Sequence, residues 1–76
     1  MRRRPNADLM SRTVVGGWTP AADPTMVAQL WQIKKQGSIL HFEADVHRNG
    51  VTLNTLAAPT REELTQELER RYGRGR

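Results

Sequence analysis

At 76 residues the chain has material for one domain with a thin core, and with no cysteine it can rely neither on disulfides nor on a cysteine-ligated zinc. No apolar run reaches membrane-spanning length and no apolar segment follows Arg2-Arg3-Arg4, so the sequence reads as cytoplasmic, with no signal peptide and no membrane partner. The formal net charge of +4 sits at the ends: residues 1–12 hold four Arg against one Asp, residues 70–76 hold four Arg, and residues 38–60 hold one Arg against Glu43 and Asp45. Basic ends around a near-neutral middle suit a polyanion such as nucleic acid; they equally suit solubility.

Residues 1–25 read as a basic arm. They hold Pro5, Gly16-Gly17, Pro20 and Pro24 and no sustained periodicity, with Val14, Val15 and Trp18 available to pin the arm to a core. Residues 26–35 admit two readings. Asp23 as N-cap and Pro24 at the first position, followed by Met26, Val27, Leu30 and Trp31, would make a short helix. A strand turned at Gln36-Gly37 would instead pair Lys35 with Ser38 and set Ile33 opposite Leu40, Trp31 opposite Phe42 and Val27 opposite Val46. That agreement favours the strand and leaves Leu30 and Ile39 exposed.

Leu40, Phe42, Ala44 and Val46 alternate with His41, Glu43, Asp45 and His47, and Asn49-Gly50 is a strong two-residue hairpin signal. Pairing Arg48 with Val51 places Val46 against Leu53 and Ala44 against Thr55 on one side. It places His47 against Thr52 and Asp45 against Asn54 on the other. Thr60 with Glu63 forms a capping box, acidic residues lead and Arg70-Arg71 close, and Leu64, Leu68 and Tyr72 make one stripe before Gly73. This predicts a helix over 61–72 with a Glu67–Arg71 pair on its surface. The expected class is α+β: a basic arm at 1–25, a three-stranded antiparallel meander with one C-terminal helix (βββα) at 26–73, and a basic tail at 74–76. The alternative order is αββα.

His41, Glu43, Asp45 and His47 share one strand face, but neighbours on such a face stand about 7 Å apart, and a solvated outer surface explains them without a metal. The sequence has no phosphate-binding glycine loop, no HExxH and no nucleophile–base set, so the protein is expected not to be an enzyme and to need no cofactor. On the expected outer face lie Gln32, Lys34, His41, His47, Thr52 and Asn54, with Arg48 near the turn. These side chains suit base-edge hydrogen bonds, while Arg2, Arg3 and Arg4 suit phosphates.

The run from Trp31 to Gly50, then Val51 to Leu56, then Pro59-Thr60-Arg61-Glu62-Glu63-Leu64, resembles the N-terminal arm-binding domain of phage tyrosine integrases over about residues 30–72. The resemblance implies a three-stranded sheet with one helix, preceded by a basic tail, whose sheet face enters a DNA major groove. The positions it implicates are Lys34, His47, Arg48 and Asn54, with the Arg2–Arg4 arm. Glu43 and Asp45 stand where strands of that family are richer in Lys and Arg. Two functions follow as expectations. The first is a small, phage-like nucleic-acid-binding or accessory protein, with DNA as favoured partner, anchored by its Arg-rich tails and reading weakly through its sheet. The second is a small module that binds and modulates or assembles a partner protein.

Overall fold

The computed structural model describes residues 10–76, so Arg2, Arg3 and Arg4 lie outside the described residues. Four strands run in chain order as an antiparallel meander: β1 Met10–Trp18, β2 Met26–Lys35, β3 Ser38–Arg48 and β4 Val51–Ala58. One helix, α1 Arg61–Tyr72, covers one face. The class is α+β, and the expected three strands become four because Met10–Trp18, expected as arm, pairs along β2. Its alternation is faint in sequence because it is an edge strand with mostly exposed side chains, and because a bulge between Val14 and Gly16 breaks its period. Residues 26–35 are strand, which removes the αββα order.

Both hairpin turns follow the expected chemistry. Gln36-Gly37 and Asn49-Gly50 have positive φ at both central residues, 56° and 83° in the first, 51° and 83° in the second. This is the turn whose twist suits two-residue hairpins. Lys35 duly pairs with Ser38, and Arg48 with Val51. Away from the turns, each register slips by one residue. Ile39 pairs with Lys34 but His41 with Ile33, leaving Leu40 as the extra residue; Trp31 then faces Glu43, not Phe42, and Val27 faces His47, not Val46. In the second hairpin Thr52 pairs with His47 but Asn54 with Val46, leaving Leu53 over and bringing Leu56 opposite Ala44. A one-residue slip moves every later side chain to the opposite face.

The core is therefore built from Met26, Ala28 and Leu30 of β2, not from Val27, Trp31 and Ile33. Ala44 and Val46 of β3, Leu56 of β4, and Leu64 and Leu68 of α1 complete it. Leu30, expected to be exposed, is buried, while Ile39 is exposed as expected. Leu64 and Leu68 are wholly buried, each stabilising the fold by roughly 1.5–3 kcal/mol. Ala28 and Ala44 are also wholly buried, and such small side chains let the helix approach the sheet.

The helix forms as the capping pattern predicts. Thr60 Oγ1 accepts from the Glu63 backbone N–H at 3.1 Å, and the Gly73 N–H, at φ 95°, donates to the Glu69 carbonyl at 2.8 Å. Glu67 takes Arg71 at 2.6 Å and also bonds Arg70. Beyond the helix the basic tail is built into the fold. Ala21 N donates to Arg74 O at 2.8 Å and Arg76 N to Thr19 O at 2.9 Å, a short antiparallel ladder with Pro20 opposite Gly75. Pro20 is fully buried there, and the Trp18 and Tyr72 ring centroids lie 6.4 Å apart. Among the described residues no helix is long and apolar enough to cross a membrane.

Candidate functional site

The helix leaves the other face of the sheet open. Strand pairing sets its rows: Arg12, Ile33 and His41; then Val14, Trp31, Glu43 and Ala57; then Gln29, Asp45 and Thr55; then Val27, His47 and Thr52. Arg12 is the hub. Its guanidinium carbon stands 4.0 Å from the Trp31 ring centroid, and Nη2 lies 3.2 Å from Asp45 and 3.7 Å from Glu43. A planar cation can stack on the indole and fork toward two carboxylates at once, which lysine cannot. His41 Nε2 meets Glu43 Oε2 at 2.8 Å. Beside these an open cavity of about 200 Å³ is lined by Met10, Ser11, Arg12, Ile33 and Glu43. Ile33 is only 4% exposed although no helix covers it, because these neighbours close over it.

The centre of this face balances its own charge. Glu43 and Asp45 hold Arg12, and a polyanion laid across them would meet two carboxylates. Arg12 itself is half-exposed, so its ion pairs are worth little each and the stacking about 0.5–1 kcal/mol. Arg12→Ala is expected to cost about 1–2 kcal/mol in urea denaturation and to shift Trp31 emission without unfolding the protein, whereas Arg12→Lys keeps the charge and still shifts the emission.

The sequence-based site residues do not gather. His47 is on the open face, its Nδ1 3.1 Å from Thr52 Oγ1. Lys34, Arg48 and Asn54 occupy helix-side positions, in register with Ile39, Met26 and Val46. Gln32, also expected outside, pairs with Phe42 on the helix side. Arg48 lies at the opposite end of β2 from Lys34 and is tied to Asp23 at 2.8 Å, while Asn54 Oδ1 accepts from the Thr55 N–H at 2.9 Å. The Thr25 hydroxyl, and next the Arg48 guanidinium, hold the Asp23 carboxyl below the usual aspartate value. Thr52 alone joins His41 and His47 on the face foreseen for all of them.

A different grouping emerges at the end of the sheet where β1 begins. Met10 pairs with Lys35 and Ser11 with Lys34, so the chain carrying Arg2, Arg3 and Arg4 enters the sheet against the two lysines. Residues 32–42 and 10–12 contain no acidic residue. The core stops short of this end: on the helix side Leu30 and Ala44 are buried, but Gln32, Lys34, Ile39 and Phe42 are not. At the other end of β1 the ladder holds Arg74 and Arg76, both exposed. Sequence reasoning missed Arg12, Trp31 and Lys35 as surface partners. The alternation Met10-x-Arg12-x-Val14 was the available signal for the first. Comparison with protein-family models, with curated proteins and with solved structures gave no match.

Proposed function

We propose that the protein binds nucleic acid, with duplex DNA as favoured ligand, through basic groups at the two ends of its sheet. The observation that carries this reading is the separation of the two basic segments by the length of β1. One end has Lys34 and Lys35 beside the entry of the Arg2–Arg4 arm, and the other has Arg74 and Arg76 on the Thr19–Ala21 ladder. Nine extended residues span about 27 Å, close to eight base pairs of duplex at about 3.4 Å each. The mechanism differs from readout by the middle of the open face, whose carboxylates disfavour phosphate there; it is electrostatic anchoring at two points.

Each engaged cation contributes about 0.9 to the slope of log affinity against log salt. Between about 50 and 200 mM salt, four to seven engaged cations weaken binding roughly 10²- to 10⁴-fold. Duplexes shorter than about eight base pairs are expected to bind distinctly more weakly than longer ones. Fluorescence anisotropy of labelled mixed-sequence duplexes measures both. Absence of binding at the lower salt, or an affinity indifferent to salt, defeats the reading.

A second reading, a protein-interaction module, is favoured by one feature. On the open face Val14, 46% exposed, pairs with Trp31, and Val27, 47% exposed, lies two rows further along β2. In a Trp18→Phe background Trp31 reports on that face alone. Duplex DNA held at the two ends leaves its emission nearly unchanged, whereas a protein seated on the face shifts it.

A further inference from the structure

Resting on the nucleic-acid reading, we infer that the tip of the β2–β3 hairpin is an apolar wedge that kinks duplex DNA from the minor groove. The tip projects past the buried core as three strands only, since β4 pairs with β3 no nearer the turn than Phe42. It presents three large apolar side chains to solvent: Ile39 at 53%, Leu40 at 50% and Met10 at 50% exposure. Leu40 is the unpaired bulge residue, and a bulge bends its strand and re-aims the side chains around it.

Charge complementarity identifies the occupant. Lys34 faces Ile39 directly across the strands and Lys35 faces Met10, so two of the three apolar side chains of the tip are paired with a lysine. No acidic residue lies in residues 32–42. Aliphatic side chains set among phosphate-binding cations are the combination that enters between base steps: the cations hold the backbones on either side while the wedge unstacks one step. The tip ends in the two-residue turn Gln36-Gly37, with β1 alongside as far as Met10, and it is this turn end that meets the minor groove. The open face could not do this, because Glu43 and Asp45 occupy its centre.

The test uses the full chain and a duplex of about 20 base pairs carrying a donor and an acceptor dye at its two ends. Wild-type protein is expected to raise energy transfer as it binds, reporting a kink within about 20–90°. The double variant Ile39→Ser with Leu40→Ser changes exposed positions and should melt as the wild type does. It is expected to bind several-fold more weakly with the same salt slope and to lose the rise in energy transfer. Lys34→Ala with Lys35→Ala is expected instead to lower the salt slope by roughly two. Binding without a rise in energy transfer, or an equal rise with the serine variant, overturns the wedge and leaves nucleic-acid binding standing. No binding at low salt overturns both. Wild-type capture by phosphatidylserine vesicles that the serine variant does not share, with no DNA kink, assigns the tip to a lipid surface and overturns the wedge.

Discussion

Leu68→Ala is expected to destabilise the protein by about 2–5 kcal/mol. Leu68 has no exposed surface, lies one turn after the equally buried Leu64, and belongs to the cluster with Val46, Ala44 and Leu56. Truncation removes the transfer free energy of the lost atoms and leaves a cavity that small neighbours such as Ala28 and Ala44 cannot fill. A domain of this length has a total stability of roughly 4–11 kcal/mol, so this one change removes a large share. The drop in melting temperature should be at least about 10 °C. Leu53→Ala is the control: Leu53 is the extra residue of the β3–β4 register, is 43% exposed, and should melt close to wild type. Equal melting of the Leu68 and Leu53 variants would contradict the packing of α1 on the sheet.

Gly75→Val is expected to cost about 1–3 kcal/mol, a large effect for a position next to the last described residue. A Cβ at Gly75 would overlap the Trp18 indole nitrogen and come within 3.1 Å of its Cδ1. The rigid indole cannot yield as a flexible side chain would, so the tail must lift, breaking the bonds from Ala21 N to Arg74 O and from Arg76 N to Thr19 O. Red-shifted Trp18 emission in a Trp31→Phe background, with faster tryptic cleavage after Arg74, are the expected readouts. Gly17→Ala is the comparison, because its Cβ meets only the Ala28 carbonyl at an ordinary 3.7 Å. Unchanged emission and unchanged proteolysis would mean that the ladder does not hold the tail.

The elements with local codes were legible in the sequence. The helix, its Thr60 cap and Gly73 stop, the Glu67–Arg71 pair and both glycine turns follow from side chains a few positions apart. What escaped was set by non-local pairing. Pairing outward from each turn by strict alternation is correct until an extra residue intervenes, and neither Leu40 nor Leu53 carries a mark distinguishing a bulge from a core position. The error was self-consistent, because Val27, Trp31 and Ile33 are as apolar as Met26, Ala28 and Leu30; β2 is apolar on both faces over much of its length. Strand β1 was hidden by its Gly16-Gly17 pair, which reads as a joint and instead lies at a bulge. Gly16 sits beneath the Arg61 side chain, a contact no local pattern encodes.

The same errors account for the scattered site. Lys34 and Asn54 were placed on the outer face by the register, and the bulges put them on the helix side; Arg48 keeps its expected pairing with Val51 and shares the face of Ala44 and Val46 by simple alternation. Arg2, Arg3 and Arg4 lie outside the described residues, and the register bears on none of them.

The ladder between Thr19–Ala21 and Arg74–Arg76 also bears on the order of events in folding. Every strand pairing in the meander joins neighbours in sequence, and each hairpin can close over a short loop. The Pro20–Gly75 bridge joins segments separated by most of the chain, so its closure waits on the sheet and helix that bring them together. Contacts absent from the transition state govern escape from the native state, not arrival at it. Loss of the tail is therefore expected to speed unfolding while leaving the refolding rate nearly unchanged, which stopped-flow kinetics of a chain lacking Arg74–Arg76 would measure.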